Sequence, residues 1–247
     1  MVNATKLDPP DVLATPASKS GHAASQDLSA TPLIHTKEST ISADRPSHLE
    51  VWVDPACPWS WQTARWLRDL RDRGVVDIEW RLFSLEVNSS PPDAPFWEGH
   101  RRYGGAHTSL MLALRDNAAA FERLYVTLGQ RLHEQREEMS SDTLQAAVED
   151  AGLGDVIERA DADPTLVDDV LNEYHAARER SVFGVPTMTV NGSKPIYGPI
   201  LSLAPQGDDA IEWWKHVCWM TTRPDFFELK RWPRDIKPGH GVDDPSP

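Results

Sequence analysis

Cys57 has both the side chain and the setting for covalent chemistry. It follows Asp54-Pro55-Ala56 and precedes Pro58-Trp59-Ser60, and the flanking patterns put it where a strand ends and a helix begins. The free N–H groups and partial positive charge of a helix N-terminus stabilise an anion there. A thiolate is such an anion, so Cys57 is expected to have a lowered pKa and to be nucleophilic near neutral pH. Ser60, one helical turn on, can donate its hydroxyl to the sulfur and favour the charged form. The competing reading for any cysteine is an inert, packed side chain. That is the reading for Cys218, the one other cysteine, which sits on an apolar helical face beside Val217 and Trp219.

The elements that must position Cys57 are legible from period. Leu49, Val51 and Val53 alternate and stop at Asp54-Pro55, a strand with a hard end. A helix is predicted over 58–73, closed by Gly74, with Pro58 at the first position, where its missing N–H costs nothing. Trp61, Ala64, Trp66, Leu67 and Leu70 form its apolar side, and arginines 65, 68, 71 and 73 its solvated side. Val76, Ile78, Trp80 and Leu82 then alternate as a second strand, and strand–helix–strand implies parallel pairing. Residues 95–163 show helical period only, from Leu110 through Phe121, Leu124, Leu128 and Leu132 to a helix capped at Ser140-Ser141-Asp142 and closed by Gly152. This block reads as an inserted helical subdomain. Pro164 opens a further helix with Leu166, Val170, Leu171, Tyr174 and Ala177 on one face. Val185 to Val190 runs as a strand into Asn191-Gly192, a strong hairpin signal, and returns through Ile196-Tyr197. Ile211, Trp214, Val217 and Cys218 mark a last helix.

The expected organisation is therefore an α/β frame over 47–94 and 164–231, interrupted by the helical insertion over 95–163. Residues 1–46 are rich in Ala, Ser, Thr, Pro and Asp without an aromatic residue, which predicts a disordered tail. The Pro- and Gly-rich stretch over 232–247 reads as a C-terminal tail.

Composition removes several classes of function. With 38 acidic against 25 basic residues the formal charge is −13, which opposes phosphate backbones and anionic lipid surfaces and so argues against nucleic-acid or membrane partners. No run reaches the ~18–20 apolar residues of a membrane helix. The N-terminal sequence lacks the apolar core of a secretory signal. Two cysteines make no disulfide framework and suit a reduced, cytoplasmic protein. Nine histidines and two cysteines show no zinc-site spacing, so no metal is expected. No glycine-rich loop of the nucleotide-binding kinds occurs, and no tightly bound cofactor is expected.

The segment Asp54-Pro55-Ala56-Cys57-Pro58-Trp59-Ser60-Trp61 resembles the active-site corner of the DsbA-like branch of the thioredoxin superfamily, whose usual form is Cys-Pro-Trp-Cys. Val185-Pro186-Thr187 resembles that superfamily's cis-proline loop, and the helical block resembles the insertion that defines the branch. Further segments are similar to the actinobacterial mycothiol-dependent oxidoreductases of nitroreductase type. They are Leu124-Tyr125, Gly129-Gln130-Arg131-Leu132-His133, Gly198-Pro199-Ile200-Leu201 and Phe226-Phe227-Glu228-Leu229-Lys230, and the similarity runs over residues 49–231. The resemblance implies a thioredoxin-like α/β fold with a central mixed sheet, Cys57 as nucleophile, and a loop at Val185, Pro186 and Thr187 beside it. His133 and His175 fall within predicted helices and resemble family positions; against the plainer reading of a satisfied structural histidine, each is a candidate to face the cleft, and with Pro58 and Trp59 they are candidates for binding substrate or thiol.

Where the family has a second cysteine, this chain has Ser60. A second thiolate would resolve a mixed disulfide, and serine cannot do so. The expectation is a monothiol cycle: Cys57 forms a mixed disulfide, and an external low-molecular-weight thiol, mycothiol by resemblance, resolves it; the substrates are mixed disulfides or, as the resemblance implies, small electrophilic compounds with a thiol cosubstrate. A non-redox alternative comes from the kappa-class glutathione transferases and related isomerases, whose Ser-Pro-Tyr-Ser-Trp corner resembles Cys57-Pro58-Trp59-Ser60-Trp61. A degenerate thioredoxin-like binding domain is a third.

Overall fold

The computed structural model describes residues 46–89, 103–221, 223–230 and 238–239. The expected N-terminal tail, the start of the helical block at residue 95 and the stretch from 232 onward lie outside these, apart from residues 46, 238 and 239. Strand β1 (Ser47–Val53) leads through the Cys57 corner into helix α1 (Pro58–Asp72) and strand β2 (Val76–Leu82). Both chain ends of α1 are marked as the residue types require. Cys57 is its N-cap with Pro58 in the first turn, and Gly74 follows its C-cap at φ +74°, where a Cβ would be strained. β1 and β2 pair in parallel, with Leu49 opposite Ile78 and Val51 opposite Trp80.

The short helix α2 (Leu85–Ser89) follows β2. The helical block then comprises α3 (Gly104–Asp116), α4 (Ala118–Gly129), α5 (Ser141–Asp150) and α6 (Val156–Ala162). The apolar period runs unbroken through residue 117, yet the chain turns there. Asn117 is fully extended and its side chain accepts from Ala120 N–H at 2.8 Å, capping a new helix. At its far end α4 loosens into one π-helical turn, Gln130–Glu134. Helix α7 (Thr165–Glu179) returns to the sheet, and strands β3 (Thr187–Val190) and β4 (Ile196–Tyr197) form the predicted hairpin, with Asn191 at φ 50° and Gly192 at φ 75°. Helix α8 (Gly207–Thr221) closes the frame.

Among the described residues the sheet has the order β2-β1-β3-β4, parallel at β1–β2 and antiparallel at β1–β3 and β3–β4. This is a thioredoxin-like α/β fold. The helical block shares the frame's core: Trp61, Trp66 and Trp80 lie in one apolar cluster with Leu110, Phe121, Leu124 and Tyr125.

α1 is buried on more than its apolar side. Ser60, Gln62 and Thr63 are enclosed, and Gln62 Oε1 accepts from Ala204 N–H while Thr63 donates to the Pro199 carbonyl at 2.8 Å. Two of the arginines assigned to solvent are also engaged. Arg68 and Arg71 donate to Glu122 of α4, which accepts from Trp80 Nε1 of β2 as well. A carboxylate presented by α4 turns that face of α1 into a junction, which the spacing within α1 alone could not show.

A second ionic junction ties β1 to α7. Glu50 accepts two hydrogen bonds from Arg180, at 2.8 and 2.5 Å, and one from Thr189, with Arg81 nearby. Arg180 also lies over the Trp52 ring, 4.7 Å from its centroid. These contacts, Arg180 foremost, hold the Glu50 carboxyl down at about 2. A depressed carboxyl contributes stability above its unfolded pKa and loses it as pH falls through the folded value. Glu50→Gln should therefore cost about 1–2 kcal/mol at pH 6, allowing for solvent screening. Urea titrations of both proteins should show that gap closing between pH 4.5 and about 2; a gap that stays constant to pH 2.5 refutes the assignment.

Candidate functional site

The site grows from the end of β1. Cys57 has an extended backbone (φ −93°, ψ 108°), and its sulfur accepts the Ser60 N–H at 3.4 Å. The thiol donates to the Val185 carbonyl at 3.6 Å, so the sulfur lies between the start of α1 and the loop before β3. The Val185–Pro186 peptide is cis, Thr187 Oγ1 donates to the Gly184 carbonyl at 2.7 Å, and Thr187 is paired with Trp52 of β1. Cys57, Ser60, Val185, Pro186 and Thr187, far apart in the chain, are thus brought to one place. Pro58 and Trp59 are half-buried beside them, and Trp59 packs against the same apolar cluster as Cys57.

That cluster decides the acidity of the thiol. Trp52, Phe83, Ala177, Val182 and Val185 surround Cys57, with Leu85 and Tyr174 packed against them. Burial pushes the Cys57 thiol up, the Ser60 hydroxyl, the Ser60 N–H and the Trp59 N–H pull it down, and the Asp54 carboxylate adds to the rise. The net direction is upward, which corrects the lowered pKa expected from the helix N-terminus. The helix-terminal donors are present, but removal of the sulfur from water outweighs them.

Ser60 Oγ is fully buried and has no hydrogen-bond partner at normal distance among the described residues. An unspent donor of this kind favours the sulfur when it becomes an anion. Tyr125 is similar: its hydroxyl is buried and has no hydrogen-bond partner among the described residues, and it is pushed well up by burial and also by the nearby Cys57 and Asp54.

The two histidine candidates separate. His133, on the π-helical turn, donates Nε2–H to the Pro55 carbonyl at 2.9 Å and so braces the corner from the α4 side. Burial lowers its pKa, more than the Pro55 bond and nearby Asp54 and Glu134 raise it. His175 is exposed, edge-on to the Tyr174 ring. It is Tyr174, one residue earlier, that packs into the Cys57 cluster and donates its hydroxyl to Asn88 at 3.2 Å. A helix turns 100° per residue, so only one of the two neighbours can face the sulfur.

Cys218 lies on α8 within the main core cluster, separate from the one around Cys57, and both thiols are free. Burial pushes its thiol up too. Among the described residues no group of three or more His, Cys, Asp or Glu side chains could hold a metal ion, and no helix is long and apolar enough to cross a membrane.

Sequence reasoning missed the most heavily hydrogen-bonded side chain of the corner, Asp54. Fully buried, it accepts from Ala56 N–H at 2.6 Å and Leu85 N–H at 2.7 Å, and it lies 3.1 Å from Nε2 of the equally buried His107 on α3. An Asp two residues before a backbone N–H it can cap was a readable signal. His107 gave none, because nothing local distinguishes it from other helix residues.

The Mycobacterium tuberculosis (strain ATCC 25618 / H37Rv) protein Rv2286c is 32% identical over 195 residues, covering 74% of this chain and 81% of that protein. Among solved structures, the "probable DsbA oxidoreductase SCO1869" of Streptomyces coelicolor matches with TM-score 0.49 and 18% identity, covering 77% of this chain and 97% of that one. A 2-hydroxychromene-2-carboxylate isomerase matches with TM-score 0.48 and 16% identity, covering 70% and 94%. Residues 56–231 match the model of the Rv2466c-like family, described by its mycothiol-dependent nitroreductase Rv2466c, and the chain belongs to that family.

Proposed function

We propose that the protein is a monothiol, thiol-dependent oxidoreductase with Cys57 as its nucleophile. The observation that carries this reading is the buried sulfur flanked by the Ser60 N–H and an unspent Ser60 hydroxyl, with no second thiol beside it. The Cys57 thiolate attacks one sulfur of a disulfide substrate, forms a mixed disulfide and expels the other sulfur as a thiolate. An external thiol, as its thiolate, then attacks the substrate-derived sulfur. Cys57 leaves and regains a proton, and the substrate fragment is now disulfide-linked to the external thiol. A second equivalent of that thiol frees the fragment, so the electrons come from two external thiols. Mycothiol is the external thiol, in keeping with the family's description. A reducing, cytoplasmic setting suits the cycle.

The raised thiol supports the reducing direction. A strongly oxidising dithiol depends on a stabilised thiolate in its reduced form. Here burial disfavours the anion, which makes it scarcer, more nucleophilic and a poorer leaving group. The mixed disulfide on Cys57 should accordingly be long-lived until external thiol arrives.

Intact-mass analysis after exposure to a low-molecular-weight disulfide tests the reading. One added thiol is expected, reversed by free thiol and absent in Cys57→Ser. An unmodified protein at pH 9 would sink the redox reading and favour the transferase-type alternative, in which Ser60 polarises a bound thiol.

A further inference from the structure

Gly129 closes α4 with φ −61° and ψ −40°, an ordinary helical backbone that any residue adopts. Glycine is a poorer helix former than alanine, so space rather than conformation explains it here. A Cβ built at Gly129 would lie 2.2, 2.4 and 2.7 Å from Cε3, Cζ3 and Cδ2 of Trp61. Carbon atoms in contact stand about 3.5–4 Å apart. α4 and the turn after it place Phe121, Tyr125, Gly129 and His133 at every fourth position, along one helical face. Phe121 stacks on Tyr125, Tyr125 meets the Trp61 ring edge-on with centroids 6.2 Å apart, and His133 reaches Pro55. Gly129 is the gap in that row, and the Trp61 ring fills it. The ring is 1% exposed, and its Nε1–H donates to Glu134 Oε1 at 3.3 Å, so its rim is held as well.

Trp61 belongs to the first turn of α1. Its N–H donates to the Cys57 carbonyl at 3.1 Å, and its neighbour Ser60 supplies the N–H that meets the sulfur at 3.4 Å. We infer that Gly129 is a positioning residue: the notch it leaves on α4 seats the Trp61 ring and through it holds the Ser60 donors against the Cys57 sulfur. This role rests on Cys57 being the nucleophile. It gives the helical block a part in the chemistry, since α4 belongs to the block and α1 to the frame. The buried residues around the sulfur lie on β1, on α7 and on the segments after β2 and before β3. The ionisable groups facing it are Asp54, Tyr125 and Tyr174. The Ser60 hydroxyl and N–H and the Trp59 N–H, by contrast, lie on the turn that Trp61 anchors. Displacing the ring therefore weakens the donors and leaves the burial in place, which disfavours the thiolate.

Two measurements test this: thermal melts, and the pH midpoint of Cys57 alkylation by iodoacetamide, read by mass spectrometry of the Cys57 peptide. Gly129→Ala should lower the melting temperature by about 5 °C in the wild-type background. In a Trp61→Leu background it should raise it, because the ring is gone and the better helix former remains. Gly129→Ala should also raise the alkylation midpoint by about half a unit, the worth of one ordinary hydrogen bond. Trp61→Leu should raise the midpoint too, and Gly129→Ala added to it should raise it no further. Gly105→Ala on α3, whose added Cβ would stand an ordinary 3.5 Å from Leu144, should keep the wild-type midpoint. Should Gly129→Ala alone fail to fold, Trp61→Leu and the double variant still decide the matter. A folded Gly129→Ala or Trp61→Leu protein with the wild-type midpoint overturns the inference, and so does a destabilisation by Gly129→Ala that is equal with and without the ring. Both results leave Cys57 as nucleophile. A Cys57 that takes no label at any pH removes the nucleophile itself while the melts still report on the notch, so the two failures are distinguishable.

Discussion

Ser60→Cys should convert the protein from dependence on external thiol to self-resolution. The mixed disulfide on Cys57 should collapse by attack of the new thiol, leaving an internal disulfide and releasing the bound group without added thiol. The geometry supports this. Ser60 lies one helical turn from Cys57, and its N–H reaches the Cys57 sulfur at 3.4 Å. Residues so spaced at a helix start fall within the roughly 4.4–6.8 Å between α-carbons that a disulfide needs. The effect should be large, because a tethered thiol acts at an effective concentration far above the millimolar level of a free one. Release at least about 100-fold faster than in wild type with about 1 mM thiol is a conservative figure. Stopped reactions followed by intact mass would record release of the bound group as its thiol, leaving a protein two hydrogen atoms lighter than its fully reduced form. A variant that keeps its adduct as long as wild type, or stays reduced in oxidant, would show that the corner lacks this geometry.

Glu122→Gln should be among the most destabilising substitutions that leave side-chain volume unchanged. Glu122 accepts from Arg68 at 3.0 Å, from Arg71 and from Trp80 at 3.1 Å, joining α1, β2 and α4 in one half-buried junction. Burial raises its carboxyl, but the bonds from Arg71, Trp80 and Arg68 outweigh burial and leave it below the usual range. Glutamine keeps the shape, loses the charge and leaves two guanidinium groups facing a neutral amide. A loss of roughly 2–4 kcal/mol at pH 7 is expected, since bonds to charged groups are worth more than neutral ones and a broken ion pair strands its partner. The sign with pH follows from the depressed carboxyl. The stabilisation is complete above the unfolded glutamate pKa and disappears as pH falls through the folded value. Urea unfolding of both proteins from pH 7 to 3 would measure this. A difference below about 0.5 kcal/mol, the range of ordinary surface substitutions, would contradict it.

Both predictions depend on contacts of unequal legibility in the sequence. The turn from β1 into α1 was readable because each of its parts is set by near neighbours: alternation to Val53, a stop at Asp54-Pro55, and Pro58 in the first helical turn. The hairpin at Asn191-Gly192 was readable for the same reason, since positive φ at both residues is a local demand. Asn117 was harder. Its cap is local too, but an apolar period continuing on both sides concealed it. Glu122 was beyond such reasoning, because its partners sit on α1 and β2, 42 to 54 residues away.

The sequence by itself determined which residue is the nucleophile candidate, that its usual partner is a serine, and the α/β frame with a helical interruption. Residue type and short-range period carry that information. Only the tertiary structure decided the state of the sulfur. Burial among Trp52, Phe83, Val182 and Val185 outweighs the helix-terminal donors that the local pattern advertises. It likewise decided that Tyr174 rather than His175 joins the site, and that Asp54 meets His107. The physical reason is common to all three. Solvation and charge at a buried atom are sums over everything folded around it, and most of those terms come from segments distant in the chain.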